Sequence, residues 1–332
     1  MKKTAILAGF SLLLASSLAG PASAADQIRI LFPTWPGFAP VFVAKDLGYF
    51  GAEGLDVDVK FEDDRSNVMA AMARGDIEMN MRTVGEYQGR PRDASTPGVI
   101  IGTIDRSLGG DGVIVDGSIK SVADLKGKTV AAEPNVPAWL LLQLALKENG
   151  LTLKDIETKN IVTPDTVAVF ADSSISAVAT YEPFMSQAVK TITQRDPKIL
   201  ISSKDTDIID DVISVRQDDL KANPDKYVKF LKALYKAVDY YKTNPDDFIK
   251  LSAPHFNLSE AEVKEILDTS LTYTGFKESL EYIGTPGKPG TLYGIFDTVM
   301  QLNIDSGAAD KALVAADQID PSVMGKLAEQ MK

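Results

Sequence analysis

QIRILFPTWPGFAPVFVAKDLGYFGAEGLDVDVKF, residues 27–61, sets two kinds of segment in a fixed order. Gln27 to Phe32 is apolar at positions 28 and 30–32, and Pro33-Thr-Trp-Pro-Gly37 breaks it. Ala39 to Leu47 reads as a helix stopped by Gly48 at its C′ position, where a left-handed residue is needed. Asp56 to Phe61 alternates polar and apolar with period two, the spacing of a strand. This is one β-α-β unit, and it repeats. Ser66 is read as the cap of a helix with Val68, Met69 and Met72 on its core face, closed by Gly75. Ile77 to Met81 and Val99 to Thr103 follow as strands. The repetition predicts an α/β fold with parallel strands covered by helices.

A second run of the same kind starts with the strand Gly112 to Asp116. Ser121-x-x-Asp124 opens a short helix, Lys128 to Ala132 is a strand, and Pro137 to Asn149 is a helix ended by Gly150. Glu157 to Val162 and Ser176 to Tyr181 are strands around a helix from Asp165, and Val212 to Val215 is another strand. From Asn223 the pattern turns helical. Asn223-Pro224 is an N-cap with Pro at N1, and Tyr227, Leu231, Leu234, Val238 and Tyr241 lie at helical spacing. Ser259-x-x-Glu262 is a capping box.

Residues 1–24 read differently. Met1-Lys-Lys is a basic start, Ala5 to Leu18 is largely apolar, and Ala22-Ser-Ala24 is a small-residue cleavage site: a secretory signal peptide, too short for a stable anchor. The chain is therefore expected in a periplasm, without membrane insertion. Its net charge of −11, which falls by two more without Lys2 and Lys3, disfavours nucleic acid and anionic lipid as partners. Zero cysteines exclude disulfides and thiolate chemistry. The single histidine, His255, excludes His-rich metal sites, and it is read as an exposed loop residue. No catalytic residues, no metal and no cofactor are predicted. Gly109-Gly-Asp-Gly112 is not a phosphate loop, since no Walker lysine follows it.

Several ordered stretches carry a resemblance. Trp35-Pro-Gly-Phe-Ala-Pro40 with Ala44-Lys-Asp-Leu-Gly-Tyr-Phe50, then Ile119 to Val130, Tyr181-Glu-Pro-Phe184 and Asp219 to Pro224, resemble the substrate-binding proteins of nitrate/sulfonate/taurine-type ABC importers, a family that includes thiamine-precursor binders. The resemblance implies the class II periplasmic-binding fold, two α/β lobes joined by two hinge crossings that close like a venus-flytrap. Residues 26–111 and 212–332 would then form a discontinuous lobe 1 and residues 112–211 lobe 2, with crossings near 112–115 and 212–216. It also implies a monomer that passes its solute to a permease driven by an ATPase.

Open α/β sheets bind ligands at the carboxyl ends of their strands. The residues found there make the candidate site: Trp35, Arg65, Thr83, Glu86, Asp105, Asp111, Glu133, Asn135, Trp139, Tyr181 and Glu182. Five of them are acids and one is a cation, with Arg82 and Arg106 nearby in directions the pattern leaves open. Each acid also has a plainer reading. Glu182 precedes a helix start, Asp111 sits between glycines as a turn residue, and Glu86 and Glu133 suit a solvated rim; Trp139 suits the core. The charge count leans towards an amine, guanidinium or other nitrogen-donor cation. The resemblance implies the alternative, an anionic sulfonate, taurine or nitrate. A sensor docking a membrane receptor and a pyrimidine-synthesis enzyme on the same fold are the readings from other classes.

Overall fold

The computed structural model describes residues 25–89, 98–305, 307 and 309–332. The expected signal peptide, residues 1–24, lies outside the described residues. The strands are β1 (Asp26–Phe32), β2 (Leu55–Phe61), β3 (Met79–Thr83), β4 (Gly98–Ser107), β5 (Asp111–Val115), β6 (Thr129–Ala132), β7 (Glu157–Asn160), β8 (Ala177–Tyr181), β9 (Lys198–Ser202), β10 (Asp210–Arg216) and β11 (Leu271–Tyr273). They build two sheets, one ordered β11-β4-β10-β3-β1-β2 and the other β7-β6-β8-β5-β9.

In the first sheet β1 runs parallel to β2 and β3, as the β-α-β pattern predicts. β10 comes back from the second sheet and lies antiparallel between β3 and β4. Ile28, Ile30 and Phe32 of β1 are at most 1% exposed, and the helices Ala39–Asp46 and Pro224–Thr243 pack against this core. The second sheet has its own smaller core around Val113, Val130, Leu142 and Ala179.

The chain leaves the first sheet after Ser107 and enters the second at Asp111, then leaves at Ser202 and returns at Asp210. Residues 112–115 and 212–216, where the crossings were expected, are instead strands β5 and β10, so each passage lies a few residues earlier. Ser203 ties the two passages together. Its hydroxyl lies 2.9 Å from that of Ser107 and accepts from the backbone N–H of Gly109 (2.8 Å) and Asp111 (3.2 Å), and it is fully buried. Ser203→Ala leaves those N–H groups without an acceptor. It is expected to lower the free energy of unfolding by about 2 kcal/mol, read from urea melts. A loss below about 0.5 kcal/mol, too small for an unsatisfied buried donor, would show the tie to be unimportant.

Two local expectations change. The helix Arg65–Arg74 is capped by Asp64, not Ser66: the Asp64 carboxylate accepts from the N–H groups of Ser66 and Asn67. His255 is no loop residue but lies in the last turn of the helix Pro245–Phe256. Its ring stacks on Phe42 at 4.4 Å, and its Nε2 lies 2.7 Å from Asp46. Pro254 lies inside the same helix; a proline close to a helix end removes only one hydrogen bond from a turn that is finishing anyway.

Candidate functional site

Between the two sheets lies a small cavity, open to solvent, with about 20 Å3 of free space. Six of the eleven predicted residues line it: Trp35, Arg65, Thr83, Glu86, Asp111 and Tyr181. Pro33, Phe38, Pro137 and Asp211 complete the wall. Asn135 and Trp139 instead line an adjoining recess that shares Thr83 and Glu86 with the cavity. Asp105 sits behind Trp35 and Glu133 behind Arg65. Glu182 faces away, accepting from the N–H and hydroxyl of Ser186 as its helix-start reading anticipates.

Local structure explains each position. Thr34 donates from N–H and hydroxyl to Asp63, which pins the loop after β1 to the loop after β2 and so places Trp35. The Trp35 indole N–H points at the Asp105 carboxylate (3.2 and 3.3 Å). Its ring lies so close to Gly110 that a Cβ there would run into it. Tyr181 ends β8 in the second sheet and meets Trp35 edge-on, 6.4 Å between centroids. The Tyr181 hydroxyl is buried and has no hydrogen-bond partner.

One wall is a charge network. Thr83 caps the short helix Val84–Gln88 in a capping box, and the Glu86 carboxylate accepts from the Thr83 N–H (3.0 Å) and hydroxyl (2.9 Å). Arg65 grips Glu86 with Nε and Nη2 and Glu133 with Nη1. Arg82 adds a longer contact to Glu86, 3.4 Å. Burial alone would raise the Glu86 pKa, but Arg65 and then Arg82 hold it below the usual carboxylate value. Glu133 and Glu86 are thus ion-paired residues and not solvated rim acids.

Asp105, Asp111 and Asp211 lie beside this network, and among the described residues none of them forms an ion pair. Asp211 faces Asp105 across the β4/β10 ladder and Thr83 across the β3/β10 ladder. Burial pushes Asp105 up to about 8, against the Trp35 hydrogen bond, and Asp111 up to about 7. Asp211 is held well above the carboxylate range by burial and by Asp105 beside it. In the ligand-free cavity these carboxyls therefore retain protons near neutrality. Asp211 escaped the sequence reading because it lies at the N-terminal end of its strand. Only the antiparallel return of β10, a pairing over more than a hundred residues, carries that end to the rim where the parallel strands end.

The residues 35–248 match the family model described as NMT1/THI5 like. The taurine-binding periplasmic protein of Escherichia coli is 24% identical over 71% of this chain and 74% of its own length. Among solved structures, the alkanesulfonate-binding protein SsuA of Xanthomonas axonopodis pv. citri, bound to MOPS, superposes with a TM-score of 0.73 at 16% identity, covering 90% of this chain and 99% of that one. The periplasmic nitrate-binding protein NrtA of Synechocystis PCC 6803 gives 0.72 at 16%, covering 92% and 89%. The desulfurization enzyme DSZB shares the fold at a TM-score of 0.66 and 14% identity, covering 92% and 100%.

Proposed function

The chain belongs to the NMT1/THI5-like family, and from that premise we propose that it is the periplasmic solute-binding component of an ABC importer. The observation that carries the reading is the cavity whose walls come from both sheets: Arg65, Glu86 and Asp211 from the first, Asp111 and Tyr181 from the second. Such a site captures a solute by closing on it, using differential affinity for the closed arrangement and making no bond. Residues 26–107 and 210–332 form one lobe and residues 111–202 the other, and a permease with its ATPase receives the solute. The protein works as a monomer. Among the described residues no helix is long and apolar enough to cross a membrane. A pyrimidine-synthesis role finds no support: His255 is held by Phe42 and Asp46, away from the cavity.

Relatives named for taurine, alkanesulfonate and nitrate support an anionic solute, with the Arg65 guanidinium as the cation that lines the cavity. A nitrogen-donor cation is the second reading, and one observation specific to this chain favours it. The helix starts at Val84 and Pro137, which open on the cavity, lack free anion-binding groups, since Glu86 fills one and Pro137 begins the other. Meanwhile Asp111, Asp211 and the unpartnered Tyr181 hydroxyl remain to accept hydrogen bonds from a ligand. Trp35 is one of only two tryptophans, so fluorescence titration reports on the cavity. Saturable quenching by taurine, simple alkanesulfonates or nitrate supports the anion. Saturation by guanidinium, alkylamines or quaternary ammonium, without the anions, supports the cation. No saturation by any small solute, with unchanged melting temperatures, would sink the solute-binding reading itself.

A further inference from the structure

Arg65 begins the helix Arg65–Arg74, next to the first sheet, and Glu133 follows β6 in the second. Their side chains meet across the seam between the sheets. The remaining guanidinium nitrogens stay on the Arg65 side, on Glu86. Glu133 is braced from behind by the N–H (3.0 Å) and hydroxyl (2.8 Å) of Thr163. The pair is nearly shut off from water, with side-chain exposures of 7% and 12%. Other ion pairs also reach from one half to the other, Lys147 to Asp305 and Lys190 to Glu265, but their side chains are 41–68% exposed. Exposed pairs are solvated equally well apart, so they resist opening little.

We propose that Arg65 is a positioning residue that sets how far the two lobes are closed before any solute arrives, with Glu133 as its partner across the seam. On opening, Arg65 keeps Glu86, whereas Glu133 loses the guanidinium and retains Thr163. The bidentate grip on Glu86 holds Arg65 aimed at the second lobe, so re-closing needs no search by a long side chain. Arg65 and Glu86 also line the cavity, so the seam contact and the solute share one wall. An empty protein that is already partly closed binds its solute with an apparent affinity scaled by that closed fraction. The inference rests on the hinge-closing reading above, and it applies whichever charge the solute carries.

The chain has no cysteine, so spin labels can be placed at chosen sites alone. Lys60→Cys on β2 and Lys159→Cys on β7 are exposed positions on edge strands of different sheets. In the labelled full chain without solute, Glu133→Gln is expected to shift the label–label distance distribution towards longer values. Thr163→Val, which unbraces Glu133 but keeps its charge, gives a smaller shift in the same direction, and Lys147→Gln gives none. Urea melts establish that each variant is folded under the conditions used. A Glu133→Gln distribution that matches the parent overturns the proposal, even if that variant melts earlier, because the pair would then be a static tie. An equal shift from Lys147→Gln overturns it too. No solute enters the measurement, so its outcome is separate from failure of the solute titrations.

Discussion

Replacing Arg65 with methionine lowers the free energy of unfolding by about 3–5 kcal/mol, the usual cost of removing one partner from a buried ion pair. Methionine keeps most of the length and volume, so the loss is electrostatic and not a cavity effect. Without the guanidinium, Glu86 is left fully buried with Arg82 at 3.4 Å as its cation, and Glu133 keeps Thr163. Carboxylates so placed take up protons instead of staying charged. The added substitution Glu86→Gln should recover a large part of the loss, since an amide does not need the cation. Urea melts of the single and double variants check both statements. A single-variant loss under about 1 kcal/mol, the range of an exposed pair, would mean that water reaches the network.

The second large effect concerns pH. Asp105, Asp111 and Asp211 have native pKa values raised above the unfolded value of about 3.9, Asp105 to about 8 and Asp111 to about 7. Between the two values the native state holds protons that the unfolded state has released. Stability from these groups is therefore full below about pH 4 and is lost as pH rises towards 7 and 8. The slope is about 1.4 kcal/mol per pH unit for each group, or about 3 kcal/mol for one such group between pH 5 and 7. Glu86 is shifted the other way, so its contribution changes on the acid side of this window. Ligand-free protein should melt earlier at pH 8 than at pH 5, and Asp105→Asn should flatten the dependence. Equal stability across pH 5–8 in both proteins would show the carboxyls to be solvated.

Much of this was legible along the chain, and the missing part has one cause. Period-two and helical spacings are local, and they located β1 to β8 and β10 to within a few residues, but they missed β9. Loop position is also local, and it picked out Trp35, Thr83, Asp111 and Tyr181 as cavity residues. What a side chain does there depends on partners far away in sequence. Glu133 looks like a rim acid until Arg65 is placed beside it from another sheet, and Glu182 looks like a ligand residue until its contact with Ser186 is seen. Asp211 was invisible because nothing near it reports that its strand runs antiparallel. Asp64 was passed over for Ser66 because both are good caps, and only backbone geometry decides between them.

The Glu86 carboxylate, folded back on its own helix start and held there by Thr83 and Arg65, makes the cavity a site that already has an anionic tenant. A free anion does not fill a vacancy there; it must evict a group that cannot diffuse away. A tethered group competes at an effective concentration of about a millimolar or more. A diffusing rival for the same donors therefore binds more weakly, by the ratio of that concentration to the tenant's own dissociation constant. Under the anionic reading proposed above, such a tenant favours anions that bring contacts beyond their charge, such as an organic tail against Trp35 and Phe38. Simple ions at periplasmic concentrations would be kept out by the tenant alone, without any steric gate.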